Sequence, residues 1–566
     1  MGLGDGAPCP AADWVLGYVS YAGGFLVLCT NSTVAATLFE PAHKVHQVGE
    51  LATVPLAPSL ARPALIKLAH KLAARRKQTF AASSSSSAAS SDESDGEEDP
   101  ETDAGTPLAG RFEFDREPDA LLPAPPARSP ARPFWQRRFA PRTAVKTKPA
   151  EPKMDESDAE GSRPTSPPLE TATTALELSS SPAAKPAAAT VLAPSAVSDA
   201  AANKEFHASR RALDKKIVQE LERELLGMYW SPTADISRSM QHKQEQNPAS
   251  PGPPGGGLTE PLTRLPMWRR VDRRFWWNEH LANIDGLREL TLCLQQGCVR
   301  QVTVPLALHD GYTPLDPNDA PASPASLSIE LTLISRRSIE RAGLRYQRRG
   351  VDSNGSVANM CETEFLIKVE RDGVQHVASF VQTRGSIPVF WTQSPWALKP
   401  PPMLARTPEE SHIALAKHFE KQTKLYGKQY IMNLAETQGK EAVVVDAFRE
   451  QVALLDREDV SWGEFDFHRV CSGMRFERVV QLIDRMEPEL EEIGCFWTTS
   501  KQVYSTQIGV VRTNCIDCLD RTNVVQSALA RRVLNKHLMH LGITTQVEDG
   551  QHDQLDMAFN GIWADK

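Results

Sequence analysis

The stretch RTNCIDCLDRTN, residues 512–523, holds two cysteines, two aspartates and two arginines in twelve positions. Cys515 and Arg521 are in C-x5-R spacing, which suits a loop that grips phosphate. Cys515 and Cys518 are in C-x-x-C spacing, which suits a redox pair or half of a zinc site. The phosphate reading has a defined chemistry. A thiol at a helix N-terminus faces the positive end of the helix dipole, and a neighbouring arginine lowers its pKa further. The thiolate attacks phosphorus, a phosphocysteine forms, and water hydrolyses it. Loop N–H groups cradle the anion, and Arg521 adds a bidentate grip on phosphate oxygens. Thr522 is placed to hydrogen-bond the thiolate or to help it leave. Neither a metal nor another cofactor enters this chemistry. A zinc site wants a second ligand pair, but there is no second C-x-x-C, Cys293 and Cys298 are five apart, and no H-x3-H occurs. On the residues alone phosphate chemistry leads, with redox and structural roles left open.

Such a loop has to be held between a strand and a helix. Residues 507–511 (QIGVV) read as a buried strand. After Arg521, Val525, Leu529 and Val533 recur at four-residue intervals, Leu534, Leu538 and Leu541 continue the face, and Gly542 stands where a helix stop belongs. Upstream, residues 327–334, 364–369 and 377–382 read as strands, and 412–425 and 475–493 as helices. Near the N-terminus, 14–20, 24–29 and 34–39 read as strands separated by Ala-Gly-Gly and Asn-Ser-Thr turns, followed by a helix at 64–77. Leu213, Ile217, Leu221 and Leu225 make a helical stripe over 213–228, and Phe275-Trp276-Trp277 reads as core.

Between these parts, residues 78–204 are rich in Ser, Pro and Ala and carry an acidic run at 92–103. Such a stretch buries too little apolar surface to offset chain entropy and is expected to be disordered. One island within it, RPFWQRRFAPRTAVKTK at 132–148, joins basic and aromatic residues and suits contact with an anionic membrane, or is a chance cluster in a solvated linker. The 9 cysteines are odd in number and unevenly spaced, and no secretory signal is visible, which points to a reducing cytosol. The formal net charge of -8 argues against general nucleic-acid binding. Apolar runs such as 24–29 are too short to span a bilayer.

RTNCIDCLDRTNVVQ resembles, almost residue for residue, the catalytic signature of the Sac family of phosphoinositide phosphatases. Residues 334–364, SFVQTRGSIPVFWTQ at 379–393 and FDFH at 465–468 resemble further blocks of that family in the same order. The likeness covers most of 206–565 and, more weakly, 14–60. It implies an α/β fold in which 1–77 and 205–325 form a β-rich N-terminal Sac subdomain interrupted by the 78–204 insertion. Residues 326–566 form the catalytic subdomain, with the C-x5-R loop between a strand and a helix. The family pattern runs on past Trp563-Ala564-Asp565, so that subdomain is expected to be truncated.

The resemblance implies metal-independent removal of a phosphate from the inositol ring of a membrane phosphoinositide, phosphatidylinositol 4-phosphate above all. It implies a cytoplasmic protein peripherally associated with endomembranes (endosome, Golgi or ER). Cys515 becomes the nucleophile and Arg521 the clamp, Asp517 and Asp520 match the family's loop aspartates, and Asn514, Ile516, Cys518 and Leu519 complete the loop. Arg348, Arg349 and Arg384 are candidates to meet the anionic head group. The contrary reading is that the arginines of this region, with Arg336, Arg337, Arg341 and Arg345, decorate a solvated face. Asp466 and His468 are candidates for proton transfer to the leaving oxygen, or a structural hydrogen bond beside a strand. Trp391 and Trp396 read as packing residues. Other C-x5-R enzymes that take multiply phosphorylated inositides place lysines where Asp517 and Asp520 stand. A carboxylate about 4 Å from a second phosphate is repulsive by roughly 1–4 kcal/mol, so a preference for monophosphorylated inositides is expected. The competing functions are a lipid-binding scaffold with weak or lost catalysis, and a C-x-x-C redox protein.

Overall fold

The computed structural model describes residues 14–19, 24–39, 42–87, 196–246, 260, 265–282, 288–306, 327–344, 347–371, 373–394, 400–514, 516, 520–543, 553–564 and 566. Residues 1–138 with 214–566 form one compact unit, and 139–213 a second, of which the described part is helical. The island at 132–148, Arg345 and Trp396 lie outside the described residues.

Four antiparallel strands open the chain, β1 (Trp14–Val19), β2 (Phe25–Thr37), β3 (Lys44–Pro55) and β4 (Tyr229–Trp230), in the order β1-β2-β3-β4. Two expectations are corrected here. The Asn-Ser-Thr segment is not a turn: β2 runs through it, paired with β3, and takes up its polar residues in register shifts at Cys29/Asn31, Asn31/Ser32 and Val34/Ala36. The helix expected at 64–77 spans Pro58–Ser87, and another spans Ala196–Leu225, so both edges of the stretch expected to be disordered are helical. Alanine and long-chain residues carry the first helix into the serine run, which weak intrinsic preference alone does not stop.

A nine-stranded mixed sheet carries the rest. Its antiparallel half is β5 (Gly297–Leu306), β6 (Leu327–Arg337), β7 (Cys361–Arg371) and β8 (Val374–Arg384). The boundary expected at 325/326 falls between β5 and β6, which pair from Gly297↔Arg336 to Leu306↔Leu327. The short strands β9 (Trp391–Thr392) and β10 (Met403–Leu404) pair apart from it. The parallel half is β11 (Lys428–Asn433), β12 (Val460–Glu464) and β15 (Gly509–Asn514), in the order β12-β11-β15-β8. β13 (Phe496–Thr499), paired in turn with β14 (Val503–Ser505), lies along the first half of β8, and β15 reaches its last residues.

Helices cover both faces, as a parallel sheet requires. Ile431 packs with Leu415, Phe419, Val444 and Phe448 from helices Pro408–Tyr426 and Ala442–Leu455. Its neighbour Met432 points the other way and packs with Leu482, Ile483, Val525 and Leu529. The helix expected at 475–493 is broken into two α-helices, Val479–Arg485 and Glu487–Ile493, behind short 3-10 turns. Pro488 sits in the first turn of the second, where its missing N–H costs nothing, whereas inside one continuous helix it would break the ladder. The helix after Arg521 spans Asp520–His540, with Val525, Leu529, Leu534 and Leu538 buried, and Gly542 ends it in the left-handed region at φ 65°. Phe275 and Trp276 are buried, as is Trp391.

The expectation of a solvated arginine face fails at Arg336. Its guanidinium is buried between Glu362 and Glu364 on the adjacent strand, and it also donates to the carbonyls of Ile236, at 2.7 Å, and Arg238, at 3.0 Å. The side chain therefore ties segment 236–238 onto the sheet. Burial opposes ionisation of Glu364, yet Arg336 beside it holds that carboxyl below the usual range.

Candidate active site

Parallel strands return through crossovers, so their C-terminal ends lie side by side and the chain departs in different directions there. Here Glu464, Asn433 and Asn514, the last residues of β12, β11 and β15, stand in one row through the pairs Asn433↔Glu464 and Asn433↔Asn514. Arg384 extends the row at the end of β8, opposite Thr513. Asp466 and His468 follow the first of these ends, Leu434 to Glu441 the second, and the C-x5-R loop the third. Cys515, Asp517, Cys518 and Leu519 lie outside the described residues. Their neighbours Asn514, Ile516, Asp520 and Arg521 are described.

Both sequence neighbours of Cys515 are anchored. Asn514 is fully buried. Its amide donates to Asn433 Oδ1 at 2.7 Å, its carbonyl accepts from Leu434 N at 2.8 Å, and its Oδ1 accepts from Arg512 Nη1 at 3.3 Å. Ile516, expected near substrate, sends its side chain into the apolar cluster with Leu415 and Val444, while its carbonyl accepts from Arg349 Nη1 at 2.8 Å. Arg349 is itself buried, over the Trp391 ring. The structure thus gives Arg349 a contact with the loop backbone, whereas Arg348 is exposed and Arg384 half-buried.

Arg512 is buried to the same degree as the strand it sits on. It donates to the Ser386 carbonyl at 2.9 Å and, through Nε, to His418 Nε2 at 3.2 Å. A guanidinium only donates, so His418 accepts at Nε2 and carries its proton on Nδ1, which donates to the Gly355 carbonyl at 2.8 Å. Burial, then the charge of Arg512, push the His418 pKa well below its ordinary value. The sign follows. Below pH about 6.5 the unfolded chain takes up a proton at this position that the folded chain refuses, so stability falls with acidity by about 1.4 kcal/mol per pH unit until the folded pKa is reached. Urea unfolding at pH 6.5 and 5.5 measures this: the loss between them is smaller by about 1 kcal/mol in His418→Gln than in wild type, since the unfolded chain is already about half protonated at pH 6.5.

Asp520 opens the long helix and is exposed; Arg521 and the fully buried Thr522 follow in its first turn. Arg521 meets a carboxylate from the next strand end. Its Nη1 and Nη2 donate to Glu441 Oε2 and Oε1, each at 3.2 Å, and Nη1 also reaches the Leu434 carbonyl at 3.4 Å. Asp466 accepts from Arg469 N at 3.0 Å and from Thr437 N and Oγ1 at 3.4 and 3.2 Å, capping the short helix Phe467–Val470. His468 is exposed, with Nδ1 3.9 Å from Glu436. Sequence reasoning missed Arg512, His418, Asn433 and Glu441. Arg512 lay inside the quoted stretch, but Glu441, after Gln-Gly-Lys, has the look of any solvated loop charge.

The family model described as SacI homology domain matches residues 14–472. Phosphatidylinositide phosphatase SAC2 of Homo sapiens is 37% identical over 354 residues, 59% of this chain and 29% of the relative. The Mus musculus protein of that name is 36% identical over 354 residues, with the same coverage. Phosphatidylinositol-3-phosphatase SAC1 of Saccharomyces cerevisiae is 35% identical over 348 residues, 60% of this chain and 51% of the relative. The chain therefore spans about half or less of the length of these relatives.

Proposed function

The chain belongs to the SacI homology domain family, and from that premise we propose that it hydrolyses a phosphate monoester on the inositol ring of a phosphoinositide. The observation that carries this reading is Arg521. It lies in the first turn of a helix that follows a parallel strand, where helix dipole and guanidinium both favour an anion, and both sequence neighbours of Cys515 are anchored in the core.

The Cys515 thiolate attacks phosphorus and the bond to the inositol oxygen breaks. That oxygen takes a proton as it leaves, and water then cleaves the phosphocysteine to release inorganic phosphate and regenerate the thiolate. Of the two candidate donors, Asp466 has both oxygens engaged, Oδ1 by Arg469 N in the turn it caps and Oδ2 by Thr437, which leaves His468 as the stronger assignment. Arg384, at the end of the strand beside β15, is assigned to the substrate's other anionic groups. Among the described residues no helix is long and apolar enough to cross a membrane. The protein is proposed to meet its lipid from the cytoplasmic face of an endomembrane, as a peripheral protein.

Phosphatidylinositol 4-phosphate is the proposed substrate. The name of the SAC1 relatives, phosphatidylinositol-3-phosphatase, favours the 3-phosphate as the second reading. Phosphate release from vesicles carrying each mono-, bis- and trisphosphate, with a chelator present, tests both. The 4-phosphate is expected to turn over fastest. Since a carboxylate near a second phosphate is repulsive by roughly 1–4 kcal/mol, Asp517→Asn is expected to raise bisphosphate turnover relative to monophosphate by about tenfold. A trisphosphate turned over faster than every monophosphate refutes the acidic-loop argument.

A further inference from the structure

The contact between Arg521 and Glu441 does not follow from the family's motif. Glu441 stands at the N-cap of helix Ala442–Leu455, a position where a side chain ordinarily accepts from the helix's first N–H groups. It makes no such bond. Its carboxylate turns outward instead and takes both terminal nitrogens of Arg521, while Oε2 also accepts from Glu436 N at 2.8 Å. The carboxylate is thus held from behind by the backbone and faces the guanidinium with both oxygens. The pair is substantially shielded, with side-chain exposures of 22% for Arg521 and 15% for Glu441. Solvent screening is weaker there than on an open surface, and two parallel hydrogen bonds fix the plane of the guanidinium as well as its position.

We propose that Glu441 is the positioning residue for the phosphate clamp: by holding Nη1 and Nη2 of Arg521 it fixes the position and plane of the guanidinium before the phosphoryl group arrives. This inference rests on the reading of Arg521 as that clamp. A long arginine side chain has several rotamers, and ordering it on substrate binding costs side-chain entropy. A partner already bonded to the far end removes that cost before the phosphate arrives. The geometry also separates two tasks that the loop alone would have to combine. The strand-end segment Leu434–Glu441 sets where the guanidinium lies, and separate anchors hold Asn514 and Ile516, the residues on either side of Cys515 in sequence. A negative charge at this place weakens the net attraction for phosphate, so its benefit is orientation, felt most in the transition state.

The test is a double-mutant cycle on the full chain, with phosphate release from phosphoinositide vesicles and inhibition by orthovanadate as readouts. Glu441→Gln keeps the size of the side chain and is expected to lower kcat/KM by about 100-fold, mainly through kcat, and to weaken vanadate inhibition in parallel. In an Arg521→Lys background, where no planar fork remains to be oriented, Glu441→Gln is expected to cost less than about twofold more. Glu441→Asp, which keeps the charge but is too short to reach both nitrogens, should fall between wild type and Gln. Thermal unfolding midpoints of the variants are compared alongside, and the inference requires Glu441→Gln to lose activity at an unchanged midpoint. Losses that multiply independently in the double variant, or that track the midpoint, overturn the proposal. Faster turnover or tighter vanadate binding in Glu441→Gln overturns it too, because the carboxylate would then compete with phosphate for Arg521. A wild-type chain that releases no phosphate from any inositide removes the underlying reading instead, which is a separate outcome.

Discussion

Replacing Cys515 with Ser is expected to lower phosphate release by at least about a thousandfold, because the uncatalysed hydrolysis of a phosphate monoester is extremely slow and a serine hydroxyl is not ionised at neutral pH. The prediction rests on the surroundings of the loop. Arg512 on one side and Arg349 on the other bond the backbone or side chain of the residues flanking Cys515. Guanidinium groups bonded to both sequence neighbours of a cysteine, one of them brought there from 167 residues away, are the surroundings in which a thiolate is favoured over a thiol. Cys518→Ser should be far milder, within about tenfold of wild type, since residue 518 has the spacing of the loop wall and not of the nucleophile. A thiolate mechanism should also run in the presence of a chelator. If activity survives in Cys515→Ser and vanishes in Cys518→Ser, the assignment is reversed. Loss of activity with a chelator argues for a different chemistry altogether.

The largest effect on stability is expected at Arg336. Arg336→Met removes the cation from between Glu362 and Glu364 and leaves two carboxylates in the core. Each retains other donors: Tyr426 Oη at 2.6 Å from Glu362, and Met240 N and Ser379 Oγ at 2.7 Å from Glu364. Those bonds do not cancel the repulsion of two buried charges. Breaking such a triad from one side is expected to destabilise by about 3–5 kcal/mol, a large part of the stability of an ordinary domain. Soluble yield and the urea midpoint measure it. The companion variant Arg336→Met with Glu362→Gln and Glu364→Gln removes the stranded charges and is expected to recover about half of the loss or more. The pH dependence has a definite sign. Glu364 is held below its ordinary pKa in the folded chain, so its share of stability is present above the unfolded value, about 4.3, and is lost as pH falls through the folded one. An unchanged midpoint in Arg336→Met means that the triad contributes nothing, against this account.

Much of this protein follows from local rules. A C-x5-R spacing behind an apolar run and ahead of a four-residue stripe specifies strand, loop and helix, because backbone periodicity and helix-stop chemistry act within a few residues. The buried face of the long helix and its stop at Gly542 were legible for that reason. So was the packing role of Phe275, Trp276 and Trp391, since large aromatic side chains gain by leaving water wherever the fold allows it.

What tertiary structure alone decided concerns charge and strand pairing. Arg336, Arg349 and Arg512 read like surface arginines in a one-dimensional string, yet each is buried, because partners 26, 167 and 94 residues away supply the acceptors. A buried charge depends on such distant partners, and no local pattern encodes them. Glu441 and Arg521 are 80 residues apart and meet only because β11 and β15 are neighbours whose ends stand in register. The unbroken course of β2 through Asn-Ser-Thr has the same origin: its partner β3 supplies a ladder that overrides the turn preference of those residues. The residue types of the C-x5-R stretch suggest the proposed reaction, and the sheet order decides which charges meet Arg521.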